Sequence, residues 1–218
     1  MSKLFKRVIK GSLFDFDGVL STGRFYSAVS KDDALIIKKV RDRIFSSGRD
    51  SLDLVDSWMR GEKTYKDINK LLAEEMNLKT SFLNKSLVES VKAMVLNKDL
   101  VDFAQVIRCQ GIKVAIFTDN MDVFEKILVP RYVLRNKFDF IFSSSTYRKL
   151  KLDDKGEFLD FAIAKLEVEA PEVLLIDDST KIRPLIEERG GLFYWYRDYR
   201  NEFPKFKSWF ERRMNFYR

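Results

Sequence analysis

Residues Leu13 to Leu20 read LFDFDGVL, an apolar run that closes on two aspartates, Asp15 and Asp17, with Gly18 directly behind them. In an extended segment successive side chains alternate faces, so both carboxylates would project to one side while Phe16 points away. Two like charges about 4 Å apart repel by roughly 4 kcal/mol at an effective dielectric near 20, a large part of a domain's stability. A positive group is therefore expected beside them.

Composition limits what chemistry that pair can serve. The 218 residues include no histidine and one cysteine, Cys109. A His-based zinc site, a Ser-His-Asp triad, a Cys-rich cluster and an internal disulfide are all excluded. Carboxylates, lysines, hydroxyls and backbone remain, and the matching metal is a hard, oxygen-seeking cation such as magnesium. With 45% hydrophobic and 33% charged residues, the chain suits one good-sized domain or a domain with an insertion. No apolar run approaches the ~20 residues that span a bilayer. The opening MSKLFKRVIKGS is basic but lacks the apolar stretch of a secretory signal, so a cytoplasmic protein with no membrane partner is expected. The formal charge of +7 raises nucleic acid as a partner, yet lysine and arginine are spread along the whole chain, and a generally basic surface is the favoured reading.

Outward from the opening motif, strand and helix signals alternate. Short apolar runs ending in polar residues at Ile112 to Thr118 (IKVAIFT) and Val173 to Asp178 (VLLIDD) predict buried strands, with weaker candidates at Phe138 to Phe142 and Leu192 to Tyr196. Helical patterns cover Lys98 to Gln110, Gly156 to Leu166 and Thr180 to Arg189, the first and last stopped by glycines. This alternation predicts an α/β fold with a Rossmann-like, three-layer parallel-sheet core. Residues 21–96 read as helices throughout. Ser30 with Asp33 makes a capping-box start for DALIIKKVRDRIF, Asp50 or Ser51 opens LDLVDSWMR, Thr64 opens YKDINKLLAEEM, and a further helix covers Phe82 to Val95. An inserted all-α cap over 21–96, with the core built from 1–20 and 97–218, is the expected organisation. Trp58 and Met59 are assigned to the cap's own core. The tail FPKFKSWFERRMNFYR predicts an amphipathic helix packed on the sheet.

In an open parallel sheet, ligands bind beyond the carboxyl ends of the strands. Asp15 and Asp17 follow the first strand, Thr118, Asp119 and Asn120 close the second, and Asp177 and Asp178 close a later one, so all three groups fall on one rim. Several carboxylates on one rim with no histidine suit a magnesium ion and a phosphate substrate.

DFDGV at Asp15 to Val19, FTDN at Phe117 to Asn120, a lysine before the next helix and IDDS at Ile176 to Ser179 resemble, in order and spacing, the phosphatase branch of the haloacid dehalogenase (HAD) superfamily. The resemblance implies that Asp15 is a nucleophile forming an aspartyl-phosphate. It implies that Asp17 is the general acid and then the base, which requires a raised pKa. Magnesium would be held by the Asp17 backbone carbonyl, Asp15, and Asp177 or Asp178, with Asp178 the first choice. Gly18 would let backbone amides point at the phosphate, the Thr118 hydroxyl and Asp119 amide would contact phosphoryl oxygens, and Asn120 would line the same subsite. The lysine is Lys155, at a KG-type spacing before Asp177, or Lys151, at a KP-type spacing but followed by leucine; Lys155 is favoured. Dehalogenases of the superfamily lack the second aspartate, so Asp17 points to phosphoryl transfer. The implied substrate is a small phosphorylated metabolite, with Arg24 placed to pair with a second anionic group. A nucleic-acid-end phosphatase or nucleic-acid-binding protein using the basic surface, and a sugar phosphomutase, are the alternatives.

Overall fold

The computed structural model describes residues 8–27 and 33–215. Five parallel strands form the central sheet: β1 (Gly11–Phe14), β4 (Lys113–Thr118), β5 (Phe140–Ser143), β6 (Val173–Asp177) and β7 (Leu192–Trp195). Their spatial order is β5-β4-β1-β6-β7, with β1 in the middle. Leu13 registers with Ala115 on one side and Leu175 on the other, and Phe14 with Ile116 and Ile176. Period-two alternation then sorts the core into two layers. Leu13, Ala115 and Leu175 pack with Phe158, Leu159 and Ala162 of the helix Glu157–Leu166. Phe14, Ile116 and Ile176 face the opposite layer, with Phe103 and Ala104 of α5 (Lys98–Cys109) and Phe206 and Phe210 of the last helix, Phe203–Asn215. Phe206 meets Phe14 edge-on at 6.5 Å and Phe103 at 5.8 Å, so the basic tail is seated by its aromatic stripe, as its pattern predicts.

Four helices, α1 (Ala34–Ile44), α2 (Arg49–Met59), α3 (Tyr65–Met76) and α4 (Thr80–Lys92), form the insertion. Helix α3 begins at Thr64 with a reciprocal capping box to Asp67 and ends at Asn77 in the left-handed region, the start its sequence predicts. Helix α2 starts at Arg49, ahead of the expected Asp50 or Ser51. The Ser30 capping box lies outside the described residues. Helix α4 stops at Lys92, earlier than the expected Val95. Val95–Leu96 (β3) instead pairs antiparallel with Ser21–Thr22 (β2), and this ribbon carries the chain into and out of the helices.

Among the described residues, no helix is long and apolar enough to cross a membrane.

Candidate active site

The ends of β1, β4 and β6 bring the acidic residues together. The Asp15 amide donates to the Ile176 carbonyl at 2.9 Å, which carries the sheet ladder one residue beyond Phe14 and fixes where the Asp15 side chain starts. One oxygen from each of Asp15, Asp177 and Asp178 lies within 4.8 Å of the others. Asp15 and Asp177 are buried and Asp178 is exposed.

The positive group demanded by the opening motif is Lys151. Its Nζ lies 2.9 Å from Asp15 Oδ1 and 2.7 Å from Asp177 Oδ2, and 5.5 Å from the centre of the Phe117 ring. Lys151 is only 6% exposed, a burial tolerable for an ammonium because it is paired on two sides. Burial alone would lower its pKa, but Asp15, Asp177 and Asp119 outweigh it and hold the value above the ordinary lysine range. Its backbone is set by the Asp119 carboxylate, which accepts the Lys151 amide at 2.9 Å. The preference for Lys155 is corrected. That residue is exposed at φ +56° on leaving a tight turn, its carbonyl accepts from Arg189, and no ion pair joins it to the carboxylates among the described residues.

Asp17 has a different environment. Its Oδ2 accepts from Asn120 Nδ2 at 2.9 Å. Burial raises its pKa to about 6, with the Asn120 hydrogen bond opposing and the Asp178 charge adding to the rise. Asp15 is raised to about 7, chiefly by burial, with Lys151 pulling against it and Asp177 pushing it further up. Burial thus raises both carboxylates, and each has a partner that opposes the rise, a cation for Asp15 and a neutral amide for Asp17.

Gly18, Asn120 and Asp119 each engage a neighbour within the fold. The Gly18 amide donates to the Ser21 carbonyl at 2.8 Å and closes the turn after Asp17. Glycine is required there: at φ +79° an added Cβ would stand 2.2 Å from Asp178 Oδ2. Asn120 engages Asp17 through its side chain and Ser144 Oγ through its amide, at 2.9 Å each. The Asp119 contribution that the structure displays is its carboxylate on the Lys151 backbone. The buried Thr118 Oγ1 has no hydrogen-bond partner among the described residues, and a buried hydroxyl left unsatisfied calls for a bound partner. Arg24 lines a cavity together with Asp17.

Sequence reasoning missed the contacts that join the insertion to this rim. Ser144 Oγ donates to the Met59 carbonyl at 2.7 Å, Arg60 forms a forked ion pair with Asp153, and the Trp58 indole donates to Asp122 at 2.7 Å. Gly61, at φ +65°, runs so close to the Ser145 carbonyl that a Cβ would sit 2.1 Å from it. The acid two places after the TDN motif and the serine run 143–145 are the only sequence traces of this seam.

The donor set suits magnesium: three carboxylates with no nitrogen or sulfur ligand, and Gly18 keeping the chain tight against one of them.

Residues 9–181 match the family of haloacid dehalogenase-like hydrolases. No curated protein matches the chain. Among solved structures, a HAD-like family hydrolase from Porphyromonas gingivalis superposes with a TM-score of 0.71 at 16% identity, covering 93% of this chain and 98% of that one. A HAD family enzyme from Bacteroides thetaiotaomicron, solved with magnesium and inorganic phosphate, gives 0.66 at 16% identity over 85% of this chain and 93% of its own. The L-2-haloacid dehalogenase of Xanthobacter autotrophicus, with chloropropionic acid covalently bound, gives 0.54 at 17% identity over 85% and 76%.

Proposed function

The chain belongs to the haloacid dehalogenase-like hydrolases, and from that premise we propose that it is a magnesium-dependent phosphatase that hydrolyses a small phosphomonoester through an aspartyl-phosphate on Asp15. In this reading residues 1–20 and 97–218 are the catalytic core and 21–96 the cap. The observation that carries it is the presence of Asp17, a second carboxylate at the same rim as Asp15, with its Oδ2 held by Asn120. A haloacid dehalogenase has no use for a proton donor at a halide, whereas an alkoxide leaving group needs one. The magnesium and inorganic phosphate in the Bacteroides enzyme support the same choice.

An Asp15 carboxylate oxygen attacks phosphorus, the bond from phosphorus to the ester oxygen breaks, and Asp17 gives its proton to the departing alkoxide. Water then attacks the phosphorus of the acyl phosphate, Asp17 takes its proton, and inorganic phosphate leaves with Asp15 restored. Lys151 holds the Asp15 carboxylate in place and offsets the phosphoryl charge, and the Thr118 hydroxyl donates to a phosphoryl oxygen. Asp15, Asp177, Asp178 and the Asp17 carbonyl would hold magnesium, whose chemistry here is neutralisation of phosphoryl charge. The insertion, tied to the rim by Trp58, Met59 and Arg60, excludes water from the reacting groups.

The test is a panel of phosphate esters assayed with magnesium, wild type against Asp15→Asn. Turnover by wild type that is lost in Asp15→Asn and on chelation is the expected result. Turnover that survives chelation, or no turnover of any ester alongside release of halide from a haloacid, would overturn it.

A further inference from the structure

A cavity of about 540 Å³ opens from Asp17 between the first loop and α1, walled by Arg24, Phe25, Arg41, Phe45 and Met94. That volume is in the range of pockets that enclose whole metabolites, roughly 300 to 1,000 Å³, and exceeds what a phosphoryl group needs. One part of the wall is apolar. The Phe25 and Phe45 rings lie within 21° of parallel at 6.1 Å, and Met94 is pressed so close to Gly23 that a Cβ there would sit 2.5 Å from Met94 Cγ.

The charges on the rest of the wall are unevenly paired. Two neighbouring cations have acids: Arg43 takes Glu75 at 2.6 Å, and Lys38 reaches Asp42, itself on the cavity wall, at 3.9 Å. Arg24 and the half-buried Arg41 have no ion-pair partner among the described residues. A partly desolvated guanidinium with its fork unfilled is a recognition group for a planar oxyanion. Asp42 shares the wall, and its contact with Lys38 is solvent-exposed and weak. Two guanidinium charges face two wall carboxylates, Asp17 and Asp42, so what the wall offers an anion is not excess charge but unfilled guanidinium forks, whose spacing matches the two coplanar oxygens of a carboxylate.

We propose that this cavity receives the leaving-group end of the substrate, and that the substrate is a phosphomonoester bearing a carboxylate, with Arg24 and Arg41 reading the carboxylate and Phe25, Phe45 and Met94 the apolar body between. The inference rests on the phosphatase reading and narrows it to phosphate esters of hydroxy acids.

The probes are ω-carboxyalkyl phosphates of increasing chain length, each paired with its isosteric carboxamide and with the alkane bisphosphate of equal length. At the best-fitting length, kcat/KM should favour the carboxylate over the carboxamide by roughly 10- to 100-fold, the worth of a charge-assisted hydrogen bond. Arg24→Gln with Arg41→Gln should collapse that ratio to near unity, and Arg41→Lys, which keeps the charge and loses the fork, should give an intermediate ratio. Equal rates on carboxylate and carboxamide overturn the inference and leave the phosphatase reading standing. A preference that persists in the double variant overturns the assigned site, and a bisphosphate that outperforms the carboxylate overturns the class. Hydrolysis of none of the esters ends the phosphatase reading and this one with it.

Discussion

Trp58, in the last turn of α2, donates its indole N–H to Asp122 Oδ1 at 2.7 Å, joining the inserted helices to the start of the helical segment beyond β4. The same oxygen accepts the Tyr65 amide at 3.0 Å, and Oδ2 takes Lys126 at 2.7 Å. One buried carboxylate therefore gathers the end of α2 and the start of α3 onto the core. Asp122→Ala leaves the buried Trp58 indole and the part-buried Tyr65 amide without an acceptor, the buried one at a cost of about 1–3 kcal/mol before relaxation. The expected outcome is a higher KM and faster amide exchange in α2 and α3, with the central strands as protected as in wild type. Asp122→Asn, which keeps an acceptor oxygen, should lie between.

Lys151 neutralises two carboxylates at once. In Lys151→Ala, Asp15 and Asp177 face each other without a cation, and breaking a buried pair in this way costs about 3–5 kcal/mol. The loss should be largest at pH 8. It should shrink toward pH 5, because the Asp15 carboxyl, already raised to about 7, takes up a proton in place of the missing ammonium. Urea unfolding at the two pH values checks this. Lys155→Ala, on an exposed turn outside the site, should change stability by less than about 0.5 kcal/mol and leave turnover as it is.

The contrast between these lysines shows what spacing along a chain carries and what it omits. The core strands are legible because each is an apolar run bounded by turn residues, and the three acidic groups then fall on one rim by topology alone. The lysine is not legible in that way. Arg148, Asp154 and Lys155 all take positive φ, so the segment between the short helix Ser144–Tyr147 and the helix Glu157–Leu166 turns repeatedly, and residue count no longer measures distance to Asp177. The β2–β3 ribbon escapes notice because two residues per strand give no period, and Val95 is 60% exposed. Trp58 reads from sequence as cap core, and it is fully buried. That its one polar atom crosses to Asp122 depends on how the helices dock, which no local pattern records.

Removal of magnesium should interact with pH in a defined direction. Burial raises the Asp15, Asp17 and Asp178 carboxyls above the ordinary value of 3.8. A carboxyl with a raised folded value binds its proton more tightly folded than unfolded. The metal-free chain should therefore lose stability from this site as pH rises from about 4 to about 7. Magnesium competes with those protons and should stabilise the fold little at pH 5 and more at pH 8. Thermal unfolding with and without magnesium at both pH values measures the difference. An equal gain in Tm at the two would contradict a metal held by these carboxylates.

Asn120 tunes Asp17. Its amide donates to the ionised carboxylate and so opposes the rise caused by burial. Asn120→Ala removes that support, and the Asp17 pKa should move up from about 6. Because Asp17 must carry a proton when the alkoxide leaves, kcat/KM falls as pH rises through its pKa. The alkaline limb of the profile should accordingly shift to higher pH in Asn120→Ala, even as the rate at the optimum drops. An esterolysis profile whose alkaline limb stays in place would separate Asn120 from Asp17. A limb displaced to lower pH would mean that the proton leaving in that limb belongs to another group.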